Sequence, residues 1–221
     1  MPKTNTSKTP PKGSVRFSLS LSEEQKKAKT EILKYPFNFI VGKAGSGKTL
    51  LAVQIALDQF FKRQCNKIII TRPTISTEDN GFLPGSEKEK MEPWLVPIRS
   101  NMKKIYNKPS ILEKMEKEEQ IELVSLAHFR GRTFDNAIVI VDEFQNLTRS
   151  QLAMAIGRLG KDSKMIFCGD SYQMDLKDKN YSAYHDMAKL INSRYVFKCV
   201  LEDSHRHSAI DNLLELLNGY H

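Results

Sequence analysis

A glycine-rich segment at residues 42–49 constrains the fold of this chain more than any other feature. Its sequence fits the pattern G-x-x-x-x-G-K-T, with an apolar run at 37–41 before it and apolar residues at helical spacing over 50–61 after it. This order predicts a strand, a tight turn and a helix, whose backbone amides and positive helix end can surround phosphate groups. A glycine-rich turn could fit the pattern by chance, but the context on both sides favours a phosphate-binding loop.

The residue types within this loop predict separate roles. Lys48 is expected to reach the terminal phosphates of a nucleotide, and Thr49 is expected to place its hydroxyl on Mg²⁺. Lys43 belongs to the loop but is expected to face solvent. The residues assigned to nucleotide binding by this pattern are Gly42, Lys43, Ala44, Gly45, Ser46, Gly47, Lys48 and Thr49.

Apolar runs and helical stretches alternate along the rest of the chain. Further strands are predicted at 67–71, 121–125, 137–141, 164–168 and 195–201. Helices are predicted at 22–33, 86–104, 109–117, 150–159, 182–191 and 207–217, and capping boxes formed by Ser22 with Gln25 and by Thr148 with Gln151 mark two helix starts. This alternation predicts an α/β fold with a doubly wound, mostly parallel sheet, whose ligands bind at the carboxyl ends of the strands.

Length and charge predict one domain with a basic tail. The chain has 221 residues, and residues 1–16 contain four basic residues and no acid, half of the net charge of +8. We expect residues 1–20 to form a disordered tail, and 21–221 to form a single domain with a helical insertion near 86–120. No apolar run could span a membrane, no secretory signal is recognisable, and the three cysteines are far apart. These observations predict a cytoplasmic protein that does not bind membranes.

Two acidic residues follow the predicted strand at 137–141. Asp142 is expected to lie beside the phosphate-binding loop and to hold Mg²⁺ directly or through water. If the strand continues, Glu143 points the opposite way and can orient the water that attacks the γ-phosphate. An acidic helix cap would explain the pair if it stood alone, but its pairing with the loop favours catalysis.

Two further residues are candidates for the same site. Gln173 follows the predicted strand at 164–168 and is expected to sense the γ-phosphate at the same edge of the sheet. Arg206 lies between the last predicted strand and the last predicted helix, where it could stabilise charge on the transferring phosphoryl group.

Together these motifs resemble the PhoH family of P-loop ATPases, which is akin to the motor core of superfamily 1 helicases. Phe144 stands where the family usually has alanine, which we expect to change packing and not chemistry. The resemblance extends from about Ser22 to the end, and rests on the segments 42–49, 70–73, 81–85, 130–133, 142–146, 158–160, 169–173 and 206–207.

The resemblance implies a RecA-like core that hydrolyses ATP with Mg²⁺. It also implies that Gln25 reads adenine, and that Thr71 and Arg72 contact a single strand. Because the chain has room for one motor domain, the resemblance further implies a homo-oligomer, a hexameric ring, in which an arginine crosses the subunit interface.

The sequence is compatible with two functions. The first is an ATPase coupled to binding, translocation or unwinding of single-stranded RNA or DNA. It is supported by Thr71, Arg72, Arg130 and Arg132 and by the candidate stacking platforms Phe82, Trp94 and Phe129. The alternative is a ring-forming ATPase that remodels a protein partner without nucleic acid, with the arginines in internal ion pairs and the aromatic residues in the core.

Overall fold

A parallel sheet of six strands forms the centre of the described part of the chain. A computed structural model describes residues 17–73, 87–203, 209, 210, 213 and 216, with the backbone alone at 87–94. The strands are β1 (Phe37–Gly42), β2 (Lys67–Thr71), β3 (Ile121–Leu123), β4 (Ala137–Asp142), β5 (Lys164–Gly169) and β6 (Val196–Leu201). Their order across the sheet is β3-β2-β4-β5-β1-β6, and neighbouring strands pair in parallel.

Helices connect the strands and cover both faces of the sheet. They are α1 (Glu23–Ile32), α2 (Lys48–Phe61), α3 (Glu87–Ile105), α4 (Pro109–Lys117), α5 (Arg149–Ile156) and α6 (Tyr184–Leu190). Both predicted capping boxes are present, at Ser22 with Gln25 and at Thr148 with Gln151. Helices α3 and α4 occupy the segment predicted as a helical insertion.

Alternate residues of the strands face two hydrophobic clusters. Ile68, Ile70, Ile138 and Ile140 belong to a cluster with residues of α1, α2, α3 and α4. Ile69 and Val139 belong to a second cluster with residues of α5 and α6. A strand buried on both faces reads as a continuous apolar run, which is why the strands could be predicted. The predicted doubly wound, mostly parallel α/β sheet is confirmed.

Phe144 is fully buried in the second cluster. Its ring packs edge-on against Phe39, at 5.2 Å between centroids, and stacks on Tyr184 at 5.6 Å. The bulky residue in the acidic motif therefore acts as a core residue, which agrees with the expected change in packing; that the chemistry is unchanged stays a prediction.

The segment just before α1 lies against the folded domain. Phe17 and Leu21 pack on the first cluster, and the Ser18 amide donates a hydrogen bond of 2.8 Å to the Ile105 carbonyl. Residues 17–20, which were assigned to the tail, are therefore in contact with the domain, whereas 1–16 lie outside the described residues.

The predicted helix at 207–217 falls mostly outside the described residues. Within it, Ala209, Ile210, Leu213 and Leu216 are helical. No helix in the described ranges combines the length and the apolar character that a membrane-spanning segment requires.

Candidate active site

Three strand ends bring the candidate residues to the carboxyl edge of the sheet. The loop at 42–49 follows β1, Asp142 ends β4, and Asp170 follows β5, which lies between the other two strands. The register pairs Val41 with Gly169 and Asp142 with Cys168, so the three strands end at nearly the same level. Residues more than a hundred positions apart therefore meet at one edge, as the rule for parallel sheets predicts.

The glycine-rich loop leads directly into α2. Gly47 precedes the first residue of the helix with φ 81° and ψ 20°, a left-handed conformation that favours glycine. Because glycine has no side chain to cap the helix, the first amides of α2 are not covered by a cap. A helix end of this kind attracts anions such as phosphate.

Lys48 and Ser46 indicate that this loop is shaped for an anion. The Lys48 ammonium donates hydrogen bonds of 2.8 Å to the carbonyls of both Gly42 and Lys43, so its side chain curls over the loop. The Ser46 hydroxyl is buried and has no hydrogen-bond partner among the described residues. A buried hydroxyl without a partner is costly, and a phosphate oxygen could satisfy it. Lys43 itself is exposed, as expected.

Thr49 and Asp142 form the candidate metal site. The Thr49 hydroxyl donates a hydrogen bond of 2.7 Å to Oδ1 of Asp142, although 93 positions separate the two residues. Burial, followed by the nearby charge of Glu143, raises the pKa of Asp142 to about 6, partly offset by the hydrogen bond from Thr49. A buried carboxylate beside a hydroxyl suits Mg²⁺, which prefers oxygen ligands and whose charge would compensate the carboxylate.

Glu143 adopts a conformation that the sequence did not predict. Strand β4 ends at Asp142, and Glu143 has φ 54° and ψ 43°, in the left-handed region. The strand does not continue through Glu143, so the condition under which strand alternation would orient its side chain away from Asp142 is not met. The Glu143 Oε2 atom accepts a hydrogen bond of 2.6 Å from the side-chain amide nitrogen of Gln145, and its Oε1 lies 3.6 Å from Nη2 of Arg72. The two adjacent carboxylates still face different partners.

Gln145 links the acidic motif to the turn after β5, and the sequence gave it no individual role beyond its place in the motif. Its side chain is fully buried, and its amide nitrogen donates to Glu143 and, at 2.9 Å, to the carbonyl of Gln173. Its amide oxygen accepts a hydrogen bond of 3.2 Å from the Asp170 amide. The Gln173 side chain in turn donates to Asp170 at 3.0 Å. The available signal was the place of Gln145 in the D-E-F-Q motif.

Gln25 contacts the phosphate-binding loop from α1. Its amide nitrogen donates a hydrogen bond of 3.3 Å to the Ser46 carbonyl, and its amide oxygen accepts one of 3.1 Å from the Ser22 amide. Gln25, which is expected to read adenine, is thus only 3% exposed and lies beside the loop. Its role toward the base stays a prediction.

The four residues that are candidates for contacting single-stranded nucleic acid have different environments. Thr71 is buried, with its hydroxyl unpartnered among the described residues, whereas Arg72 is partly exposed beside Glu143. Arg130 is exposed on the segment after β3, and no ion pair to it is found in the described ranges. Arg132 pairs with Glu122 at 2.8 Å and lies over the Phe134 ring at 5.0 Å.

The candidate stacking platforms need a correction. Phe129 is fully buried and packs edge-on against Phe134 at 4.7 Å, so the expectation that it offers a stacking surface is wrong. Phe82, the Trp94 side chain and Arg206 lie outside the described residues. Sequence reasoning missed Tyr172 and Tyr181, which are 59% and 69% exposed on the segment after β5. Exposure of a single tyrosine leaves no pattern in a sequence.

Known proteins are similar to this chain in sequence. The family model for PhoH-like proteins matches residues 19–218. A PhoH-like protein of Synechocystis sp. is 38% identical over 188 residues, which cover 83% of this chain and 57% of that protein. The chain spans about half the length of the curated relatives it matches.

Solved structures with low sequence identity share the fold. The Pif1 helicase of Candida albicans superposes with a TM-score of 0.50 and 16% identity, over 91% of this chain and 44% of that one. The SWI2/SNF2 ATPase core of Sulfolobus solfataricus gives a TM-score of 0.51 at 12% identity, over 86% of this chain and 47% of that one. The sheet order, the phosphate-binding loop and these similarities lead to one conclusion: the chain belongs to the PhoH-like family and has the RecA-like fold of P-loop NTPases.

Proposed function

We propose that this chain binds ATP with Mg²⁺ and hydrolyses it, and that hydrolysis is coupled to the binding, translocation or unwinding of single-stranded RNA or DNA. The observation that supports hydrolysis most is the 2.7 Å contact between Thr49 and Asp142. This contact joins the start of α2 to the end of β4. The Thr49 hydroxyl and the Asp142 carboxylate are therefore close enough to bind one metal ion beside the phosphate-binding loop.

Each residue of the site has a role in this proposal. Lys48 and the loop amides bind the phosphates, while Thr49 and Asp142 hold the metal ion. Glu143 orients the attacking water, and Gln173 responds to the γ-phosphate. When bound, Mg²⁺ would neutralise charge that develops on the phosphoryl oxygens.

The part of the proposal that concerns a nucleic-acid strand rests on residues in the segments that follow β2, β3 and β5. Arg72 follows β2, Arg130 follows β3, and the exposed Tyr172 and Tyr181 follow β5. Guanidinium groups bind strand phosphates, and tyrosine rings stack with bases without reading their sequence. This combination supports a single strand as the partner and leaves RNA and DNA as the two arms of one experiment.

The test measures ATP turnover with and without a panel of RNA and DNA oligonucleotides. Lys48→Ala is expected to abolish nucleotide binding. Glu143→Gln is expected to bind ATP with Mg²⁺ and to turn over at least about 100-fold more slowly, because it can no longer activate the water. Turnover of Glu143→Gln within about threefold of the wild type would refute the catalytic role of Glu143.

Two observations favour a second function. Arg132 is engaged with Glu122, and Phe129 lies in the core, as expected for an ATPase that remodels a protein partner. The same assay separates the two functions. If no RNA or DNA changes turnover at low salt, where phosphate contacts are strongest, the protein-remodelling function replaces the first.

A further inference from the structure

Arg72 connects the proposed strand-binding surface to the proposed catalytic carboxylate. Its Nη2 lies 3.6 Å from Oε1 of Glu143, and the two side chains are 26% and 22% exposed. The contact is therefore neither sealed in the core nor fully solvated. A ligand approaching the carboxyl edge of the sheet can reach the guanidinium.

The sheet order shows what this contact does to Glu143. Strand β2, which precedes Arg72, lies on one side of β4, whereas the phosphate-binding loop lies on the other side, beyond β5. The register pairs Thr71 with Val141, so Arg72 stands level with Asp142. Attraction to Arg72 therefore draws the Glu143 carboxylate toward β2 and away from the loop, while Asp142 engages Thr49 at the loop.

We propose that Arg72 is a positioning residue that restrains Glu143 through their ion pair while no nucleic-acid strand is bound. When a strand binds, one of its phosphates pairs with the guanidinium instead, and the released carboxylate can orient water. This inference rests on the proposed function and adds a means of regulation to it. A partly exposed ion pair of this length is weak, whereas a phosphate offers the guanidinium two acceptors at once. Gln145 still holds Oε2 of Glu143, so the freed carboxylate stays at the site.

The test compares the ATP turnover of Arg72→Gln with that of the wild type in the absence of any nucleic-acid strand. Removing the restraint is expected to raise strand-free kcat about fivefold, the equivalent of ~1 kcal/mol of lost pairing. The KM for ATP is expected to stay within about twofold, because Arg72 is not assigned to the nucleotide. Arg72→Lys keeps a positive charge beside Glu143 and is expected to return strand-free kcat toward the wild-type value.

Arg99→Gln is the matched control. Arg99 pairs with Glu116 at 3.1 Å, with the two side chains 30% and 24% exposed, between α3 and α4. The same substitution there removes an ion pair of similar exposure away from the candidate site. Strand-free turnover of this control is expected to equal that of the wild type.

The outcomes separate the inference from the proposed function. If Arg72→Gln leaves strand-free kcat unchanged or lowers it, while strand binding measured by fluorescence anisotropy weakens, Arg72 is only a strand contact and the inference is overturned. If no strand stimulates the wild type, the proposed function and the strand trigger both fail. A fivefold rise for Arg72→Gln would then still establish the restraint on Glu143.

Discussion

Glu122 holds two cationic side chains at the start of the segment that carries Arg130 and Arg132. Its carboxylate forms ion pairs with Lys67 and, at 2.8 Å, with Arg132. Burial acts to raise the pKa of Glu122, but hydrogen bonds from Lys67 and Arg132, with their charges, outweigh it and leave the pKa below its ordinary value. The ionised carboxylate is therefore stabilised by folding.

The pH dependence of stability tests this residue. Since the pKa of Glu122 is lower in the folded state, its stabilisation is present above the pKa of the unfolded chain and is lost as the pH falls through the folded value. Glu122→Gln is expected to lower the free energy of unfolding by about 1–2 kcal/mol at pH 7. The difference from the wild type should shrink as the pH falls from about 5 to 3.

Denaturant unfolding at several pH values measures this difference, with Glu113→Gln as the control on an exposed carboxylate. A deficit for Glu122→Gln that stays constant down to the lowest pH would contradict the assigned cause.

At the scale of elements, the end of β5 packs closely against the acidic motif. A Cβ added at Gly169 would lie 2.5 Å from the Phe144 ring and 2.9 Å from the Gln145 amide oxygen. Both side chains are fully buried and have little room to move. Glycine at the end of β5 thus permits the hydrogen bond between Gln145 and the Asp170 amide.

Gly169→Ala is expected to lower the free energy of unfolding by about 2 kcal/mol, because the added methyl group overpacks this junction. It should also slow ATP turnover, since Gln145 also holds Glu143. Gly157→Ala is the control: its nearest neighbour would be the Ala153 carbonyl at 3.4 Å, and the expected change is within about 0.5 kcal/mol. Equal stability of the two variants, measured by denaturant unfolding, would show that the junction can relax.

Elements were easier to predict than side-chain environments. Strand β4 was visible because its residues are buried on both faces of the sheet, which makes its first five residues, 137–141, continuously apolar. The orientation of Glu143 was not visible, because it depends on a left-handed residue just after the strand. The prediction for Phe129 was wrong, and that for Arg132 left two alternatives open, for another reason. Burial of Phe129 depends on its contact with Phe134, and the ion pair of Arg132 depends on Glu122. The spacing of residues along the chain does not encode such contacts.

At the scale of the whole molecule, the last strand of the sheet leads the chain away from the domain beside the phosphate-binding loop. Strand β6 is the edge strand next to β1, and it ends at Leu201, five positions before Arg206. The chain therefore leaves the sheet at its outer edge, on the side of the phosphate-binding loop. We propose that Arg206, which lies outside the described residues, serves the site of a neighbouring copy in a ring.

Mixing two inactive variants tests that proposal. Arg206→Ala is expected to bind ATP without hydrolysing it, and Lys48→Ala is expected not to bind. In an equimolar mixture about a quarter of the sites should combine an intact loop with an intact arginine from the neighbour, and turnover should reappear. Sedimentation equilibrium reports the assembly, and a fully active monomer would exclude an arginine acting across an interface.

The ring of Phe144, buried against Phe39 and Tyr184, has a consequence for how this sequence can vary. The same ring occupies the space that a side chain at 169 would need. The choice of residue at 169 is therefore conditional on the residue at 144: phenylalanine at 144 leaves space only for glycine, whereas alanine would remove the contacts at 2.5 Å and leave the Gln145 amide oxygen, at 2.9 Å, as the remaining close neighbour. Positions 144 and 169 are expected to covary, so a substitution tolerated in one family member can be disruptive in another that has an identical catalytic motif.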